Sequence, residues 1–167
     1  TSLSLLPKDV ILVVVGEISG NGEWLRNTAK KVGVLDRVVI VPWQERNLIP
    51  NYLQAFDAIL IPKRKKDLVG DSPAKMFPAL AAGRPIIAGH AESIQEVLTD
   101  GLDSLIVAEN TPNGWAKAIY VVYSGQELSK KISDGAQVTK GNYTWEKRGA
   151  NISAFIENTV TGIKKIG

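Results

Sequence analysis

The residues best suited to chemistry lie in the stretch GDSPAKMFPALAAGRPIIAG, near the middle of the chain. Asp71 or Ser72 can act as a helix N-cap, and Pro73 suits the first helical position. The backbone N–H groups of Ala74 and Lys75 would then be unpaired at the helix start, which is where a phosphate binds. The Lys75 ammonium would add a positive charge. The alternative is a capped helix start that binds nothing.

A glycine-rich loop, GEISGNG, follows the first apolar run and begins at Gly16. Glycine lets a backbone approach a ligand closely, and Gly16 lies at the carboxyl end of the predicted strand. The spacing is neither GxGxxG nor a phosphate loop ending in Gly-Lys-Ser/Thr, so these nucleotide fingerprints are absent. A plain turn between strand and helix explains most of the loop, and Gly16 is its best functional candidate.

Two other polar features have competing interpretations. The run Lys63-Arg64-Lys65-Lys66 is either an electropositive rim that attracts a diphosphate or an anionic membrane surface, or a solvated loop. No aromatic residues alternate with these cations, which argues against nucleic acid as a partner. His90, the single histidine, has no carboxylate or nucleophile beside it in sequence, which favours a loop residue over a general base. No metal site is expected.

These candidates need a scaffold, and strand and helix patterns alternate along the chain. Continuous apolar runs predict strands buried on both faces over Asp9–Gly16, Arg37–Pro42, Asp57–Pro62, Arg84–Gly89 and Ser104–Glu109. Helical spacing predicts helices over Glu23–Val32, Leu48–Phe56, Ala74–Ala82, Glu92–Thr99, Trp115–Tyr123, Gln126–Ser133 and Trp145–Lys165. The prediction is one Rossmann-like α/β domain over residues 1–167. It has a doubly wound, mostly parallel sheet, helices on both faces and a helical C-terminal tail.

Composition narrows the class of protein further. The chain has 167 residues, a net charge of +3 and no cysteine, which excludes disulfides and thiolate metal sites. The charge tolerates anionic ligands without requiring nucleic acid. The longest apolar run, Val10 to Val15, is far shorter than the ~20 residues of a membrane helix. A cytoplasmic location is expected, with contact at a membrane surface left open.

Several passages, taken in order, resemble one enzyme family. The family's strand, glycine turn, helix and "lGl-dRV-f-G" passage are similar to ILVVVGEISGNGEWLRNTAKKVGVLDRVVIVPW. The family's "-elp-ly-aaDvfvlPs" segment is similar to ERNLIPNYLQAFDAILIPK. The family pattern "-P-K-fEymA-GkPvia" resembles SPAKMFPALAAGRPIIA, and the pattern "g-ipEvi-dG-tGllv" resembles ESIQEVLTDGLDSLIV. The family's "-sWe" matches YTWE. The family is the retaining glycosyltransferases of the GT-B fold, family 4 or group 1, whose C-terminal half binds a nucleotide sugar.

The resemblance implies the donor-binding half of an enzyme that transfers sugar from a nucleotide-diphosphate sugar to a hydroxyl acceptor with retention. A UDP- or GDP-linked donor is expected, with no cofactor or metal. An N-terminal acceptor domain is expected in the same or a partner chain. By this resemblance, Gly16 falls at the glycine turn near the donor, and Trp43 and Gln44 fall where the family binds the nucleobase. The positions that would face the donor phosphates are Ser72, Pro73, Ala74 and Lys75. Glu96 matches a glutamate with a structural role.

The chain departs from the family pattern at two positions where the family has glutamates that contact the donor. Gly70 and Pro78 occupy those positions, and Asp71 and Asp67 are the two candidate replacements for the first carboxylate. The family's opening strand, with the Arg and Lys of "vGRl---KG", and the acceptor half are expected to lie outside this sequence. The isolated domain would then be inactive, because it cannot place an acceptor against the donor. The alternatives are a non-catalytic binding module and a different nucleotide-sugar enzyme, such as an epimerase.

Overall fold

Each of the five apolar runs contains a β-strand. The computed structural model describes residues 1–16, 19–62 and 74–164. The strands within these ranges are β1 (Leu12–Val15), β2 (Val38–Val41), β3 (Ile59–Ile61), β4 (Ile86–Gly89) and β5 (Leu105–Val107). The helices there are α1 (Glu23–Lys31), α2 (Ile49–Ala55), α3 (Met76–Ala82), α4 (Glu92–Gln95), α5 (Pro112–Ser124), α6 (Gln126–Thr139) and α7 (Trp145–Lys164). Every predicted strand and helix is present.

All strand pairs in the described ranges are parallel, as the continuous apolar runs predict. β1 pairs with β2, with Leu12 opposite Val38. β3, β4 and β5 form a second sheet in that order, with Ile59 opposite Ile86. The doubly wound α/β class is confirmed. However, no hydrogen-bonded pair joins β1 to β3 in the described part of the chain, so the strands form two sheets instead of a continuous one.

Helices cover both faces of the second sheet. β4 is buried at every position, and its side chains alternate between two helical layers. Ile86 and Ala88 pack with side chains of α3, α4 and α6, whereas Ile87 packs with side chains of α5. Leu53 of α2 packs in the first of these layers. Ile119 of α5 packs against both the β3–β5 cluster and the cluster around β1, so α5 lies on the same side as α1.

The segment before β1 is anchored by a buried arginine. Its 3₁₀ turn, Ser2–Leu5, buries Leu3 against Ala29 of α1. The guanidinium of Arg37, at the start of β2, donates to the carbonyls of Leu3 and Pro7, the latter at 2.5 Å. It also reaches two more carbonyls of this segment at 3.4 Å. The segment is therefore fixed to the same face of the sheet as α1.

α4 ends at Gln95, four residues earlier than the sequence predicts. In a continued helix the N–H of Thr99 would donate to the Gln95 carbonyl. It donates instead to the buried carboxylate of Asp103, at 2.7 Å. A side chain from the following turn thus ends the helix, and periodicity within the helix could not reveal it.

α7 extends as an exposed helix. Its apolar side chains lie on one stripe, yet Trp145 is 81% exposed and Phe155 is 72% exposed. No helix among the described residues is long and apolar enough to cross a membrane. The helical tail predicted from the sequence is confirmed.

Candidate functional site

The predicted site residues follow the carboxyl ends of strands. Gly16 comes directly after β1, and Trp43 and Gln44 follow β2. Lys75 stands at the start of α3, the helix that follows β3. Within each parallel sheet these ends share one edge, and ligands of open α/β sheets bind outside that edge. Gly16, Trp43 and Gln44 thus lie at strand ends, and Lys75 lies at the start of a helix.

Gly16 has a backbone that other residues rarely adopt, with φ +121°. A Cβ built on it would meet nothing within 4 Å, so the glycine serves the turn of the backbone and not a tight contact. Its N–H donates to the Val41 carbonyl at 3.1 Å. This bond joins the end of β1 to the end of β2, two residues before Trp43.

Trp43 and Gln44 differ in how free their side chains are. The Trp43 indole is 68% exposed, which leaves a large aromatic face open at the end of β2. The Gln44 side chain is half-buried, and its amide donates to the carbonyls of Pro42 and Trp43 at 3.2 and 3.1 Å. Trp43 is thus placed to stack on a planar group, while Gln44 would have to turn to meet a ligand.

The start of α3 differs from the sequence expectation. The helix begins at Met76, with Lys75 as its N-cap, so the prediction that it begins at Ala74 is wrong. The physical reason is Pro78, which has no N–H to donate to the Ala74 carbonyl. The first helical bond is therefore the one from Ala79 N–H to the Lys75 carbonyl, at 3.2 Å.

Part of the predicted phosphate site lies outside the described residues. This applies to Asp67, Asp71, Ser72 and Pro73, to Gly70 and to the basic run at 63–66. Ala74 and Lys75 are described and are exposed. At the other end of α3, Gly83 has φ +64°, which confirms its predicted role as the residue that ends the helix.

The titratable groups near this edge form no catalytic cluster in the described chain. His90 follows β4 and is exposed, and no described carboxylate is hydrogen-bonded to it. Glu96 is also exposed, and its backbone carbonyl accepts from the Tyr143 hydroxyl at 3.4 Å. No group of three or more potential metal ligands occurs among the described residues.

The resolved pKa shifts of the described groups lie elsewhere. The Tyr123 hydroxyl donates to Asp9 at 2.7 Å, and this bond raises the pKa of Tyr123. Asp9 precedes β1, so the pair lies beyond the amino end of that strand. The pKa of Glu146 is lowered by hydrogen bonds from its own backbone N–H and from Thr144 at the start of α7. Neither group belongs to the predicted site.

Two features of this region were missed by sequence reasoning. Asn21, in the loop after β1, has φ +53°, a strained value for a residue other than glycine. An apolar groove of about 280 Å³ also lies beside α3, lined by Phe77, Leu80, Ala81, Lys140, Gly141, Tyr143 and Thr144. The Phe77 and Tyr143 rings are 5.4 Å apart. No sequence pattern pointed to this groove, because its second wall, which includes Lys140 and Tyr143, comes from a distant part of the chain.

Comparison with known proteins places these observations in one family. The family model described as Glycosyl transferases group 1 matches residues 3–124, which include every predicted site residue. The D-inositol 3-phosphate glycosyltransferase of Xylanimonas cellulosilytica is 26% identical over 152 residues. That alignment covers 89% of this chain and 36% of the relative. The chain therefore spans about a third of the length of the curated relatives it matches.

Solved structures share the fold at low sequence identity. Anabaena Alr3699/HepE in complex with UDP aligns with a TM-score of 0.81 and 16% identity, over 94% of this chain and 43% of that one. The same Anabaena protein in complex with UDP-glucose gives a TM-score of 0.79. The C-terminal domain of the group 1 protein LpcC from Francisella tularensis gives 0.70 at 18% identity, over 83% of this chain and 73% of that one. The fold is that of a GT-B C-terminal domain.

Proposed function

The chain belongs to the group 1 glycosyltransferase family, and from this premise we propose that it is the donor-binding half of a glycosyltransferase. The donor is a nucleotide-diphosphate sugar, and the whole enzyme moves the sugar to a hydroxyl acceptor with retention. The observation that carries the proposal is that the family match contains Gly16, Trp43, Gln44 and Lys75, each at the end of a strand or the start of a helix.

The nucleobase is assigned to the end of β2. The exposed Trp43 indole offers a flat apolar surface of the kind on which bases stack. The Gln44 amide donates long hydrogen bonds, of more than 3 Å, to two carbonyls of its own loop. The edge of a base can replace these bonds at little cost in free energy. UDP is the first nucleotide to test, since HepE was crystallised with UDP and UDP-glucose, and GDP is the second.

The phosphates are assigned to the segment that leads into α3. Lys75 is exposed there and carries a positively charged ammonium group on a flexible side chain. Asp71, Ser72, Pro73 and Ala74 complete the proposed segment, of which only Ala74 is described. When the bond to the sugar breaks, negative charge grows on the departing diphosphate, and a cation fixed beside it stabilises that charge.

The acceptor is assigned to a separate domain. A transferase must hold both reactants in line, and the described residues of this chain form only the two packed sheets and their helices. We therefore place the acceptor site on an N-terminal domain, in the same or a partner polypeptide, and expect no transfer by the isolated chain. The short coverage of the relatives, 36% of the Xylanimonas protein, supports this division.

One observation favours a second candidate function, a non-catalytic binding module. The first turn of α3 carries no acidic residue, and Pro78 stands where the resemblance calls for a glutamate. A carboxylate lost from buried ribose hydroxyls would weaken binding by about 1–3 kcal/mol. The second candidate predicts the same fold without affinity for nucleotide sugars.

Thermal unfolding with added nucleotides tests the proposal. UDP or UDP-glucose at a hundredfold excess over its dissociation constant should add about 2.7 kcal/mol, a rise in Tm of roughly 5–10 °C. Trp43→Ala and Lys75→Ala should each reduce that rise. Matched controls are Trp145→Ala and Lys131→Ala, which remove an exposed indole and an exposed lysine from α7 and α6.

The outcomes separate the two candidate functions. A rise that is selective for one nucleotide and sensitive to Trp43 and Lys75, but not to the controls, supports donor binding. No rise with UDP, GDP, ADP or their sugars contradicts donor binding by this chain and supports the non-catalytic module. Equal rises in the two variants and in the wild-type protein would show that the nucleotide binds elsewhere.

A further inference from the structure

Two asparagines of the chain are followed directly by glycine, and the fold surrounds them differently. Asn21 precedes Gly22 in the loop after β1, and Asn113 precedes Gly114 in the first turn of α5. In such a pair the backbone nitrogen of the glycine can attack the side-chain carbonyl carbon of the asparagine, because glycine has no side chain to obstruct the approach. Both asparagines are exposed, so neither sequence nor exposure distinguishes the two sites.

The loop after β1 holds Asn21 in a conformation that asparagine rarely adopts. Gly20, Asn21 and Gly22 all have left-handed backbones, with φ of +63°, +53° and +73°. Glycine adopts this conformation freely, whereas asparagine is strained in it. A Cβ built on Gly20 would meet nothing within 4 Å, so open space lies beside the turn. The regular helix α1 begins only at Glu23.

Asn113 is held on both sides by the start of α5. It follows Pro112, whose ring fixes its own backbone at the first helical position. The Gly114 N–H, which carries the nitrogen that would attack, donates to the Thr111 hydroxyl oxygen at 3.0 Å. A Cβ built on Gly114 would lie 2.1 Å from the Glu109 carbonyl oxygen, so the backbone is packed closely here.

The fold therefore sets a different cost for the reaction at each site. In both pairs the asparagine must rotate about its Cα–C bond before the reacting atoms can meet. At Asn113 this rotation breaks the Thr111 cap and opens the first turn of α5. At Asn21 it releases a strained conformation, and the glycines on either side let the backbone follow. Gly22 is buried, so this turn must also open, but no capped helix has to open with it.

We propose that Asn21 is a site of spontaneous deamidation and that the start of α5 protects Asn113 from the same reaction. The Gly22 nitrogen gives up its proton to a solvent base and bonds to the Asn21 side-chain carbonyl carbon. The side-chain nitrogen leaves as ammonia with a proton from water, which closes a cyclic imide. Water then opens the ring at either carbonyl carbon and yields aspartate or isoaspartate.

Either product places a carboxylate between the end of β1 and the start of α1, where the neutral amide stood. The reaction consumes only water and needs no bound nucleotide. The proposal is therefore independent of the proposed function.

Peptide mapping by mass spectrometry tests the proposal in the folded chain. The protein is incubated at mildly alkaline pH, and the deamidated fractions of the peptides that contain Asn21 and Asn113 are followed with time. Deamidation at Asn21 should be at least about tenfold faster than at Asn113, because opening the capped helix start costs more than opening the loop. Isoaspartate, which chromatography separates from aspartate, should appear at Asn21 because the imide ring can open at either carbon.

Two controls separate the effect of the fold from that of the local sequence. In urea, where both pairs are unfolded, the two rates should converge. Thr111→Val removes the oxygen that caps the Gly114 N–H and keeps the shape of the side chain. This variant should deamidate severalfold faster at Asn113 and at an unchanged rate at Asn21.

Four outcomes would overturn the proposal. Equal rates at the two asparagines in the folded chain, or a faster rate at Asn113, would show that the loop does not favour the reaction. A preference for Asn21 that persists unchanged in urea would assign it to the neighbouring residues and not to the fold. Aspartate without isoaspartate at Asn21 would exclude the imide. An unchanged rate at Asn113 in Thr111→Val would contradict the protection assigned to the start of α5.

Discussion

The carboxylate of Asp103 accepts a hydrogen bond from the Thr139 hydroxyl at 2.7 Å and thereby joins the turn before β5 to the end of α6. Its other oxygen accepts from the Thr99 N–H, also at 2.7 Å. Asp103 is 1% exposed, and both bonds are partly buried. One side chain thus ends α4, fixes the turn and holds the last helix that packs on the sheet.

Replacement of Asp103 by alanine should lower the free energy of unfolding by roughly 2–4 kcal/mol, because the Thr99 N–H and the Thr139 hydroxyl lose a charged acceptor. Urea unfolding with an unchanged m-value measures the loss. The control is Asp134→Ala, which removes an exposed carboxylate paired with Lys130 at 2.5 Å on α6. That change should cost no more than about 0.5 kcal/mol. Similar losses in the two variants would contradict the role given to Asp103.

Gly135 of α6 should not tolerate a methyl group. A Cβ at this position would lie 2.0 Å from the Leu102 carbonyl oxygen and 3.2 Å from the Asp103 Cα, both backbone atoms. Gly135→Ala should therefore destabilise the fold by about 2 kcal/mol or more, although alanine is the better helix former. Urea unfolding is the measurement.

The matched change in a helix without such a contact is Gly149→Ala in α7, where a Cβ would meet nothing within 4 Å. This variant should stabilise α7 by about 0.5–1 kcal/mol, seen as increased helicity in circular dichroism. If Gly135→Ala also raised stability, α6 would not pack against the Leu102 turn as described.

The backbone of Gly16 predicts another sensitive position. With φ +121°, an alanine would be strained by roughly 1–3 kcal/mol even though space for its methyl group is open. The melting temperature of Gly16→Ala should fall accordingly. Gly141→Ala, at a position with open space and no such backbone angle, should stay within about 0.5 kcal/mol of the parent chain. An unchanged melting temperature for Gly16→Ala would mean that the turn after β1 can adopt another conformation.

The start of α7 should respond to acid. The Thr144 hydroxyl oxygen accepts from the Lys147 N–H at 3.2 Å, and the Glu146 carboxylate is held by its own N–H and by Thr144. These bonds lower the pKa of Glu146 in the folded chain. The lowered pKa means that Glu146 stabilises the helix start at any pH above the pKa it has in the unfolded chain. This contribution disappears as the pH falls through the folded pKa, which lies below the ordinary pKa of a glutamate.

Carbon chemical shifts of the first turn of α7, followed from pH 7 to pH 2, measure this effect. Helicity should decrease at low pH in the parent chain and in Glu157→Gln, a change farther along the same helix. Glu146→Gln should show little pH dependence there. A first turn that loses helicity equally in Glu146→Gln would assign the acid response to another group.

The sequence determined the local elements of this protein. Short continuous runs of β-branched residues favour strands of a parallel sheet, and all five strands were predicted where they occur. Gly83 ends α3 as predicted, because few other residues adopt its backbone angle. The sequence also predicted that Gly16 and Trp43 follow strands and that Lys75 lies near the start of a helix, because each of these residues borders an apolar run.

Only the tertiary structure decided how these elements meet. The division of the strands into two sheets and the groove between Phe77 and Tyr143 depend on residues far apart in the chain. The early end of α4 depends on the Asp103 carboxylate, which lies beyond the helix itself. Side-chain periodicity reports which face of an element is buried, but not which element covers it. Pairing and packing are set by the free energy of many contacts at once, and that information is absent from any single stretch of sequence.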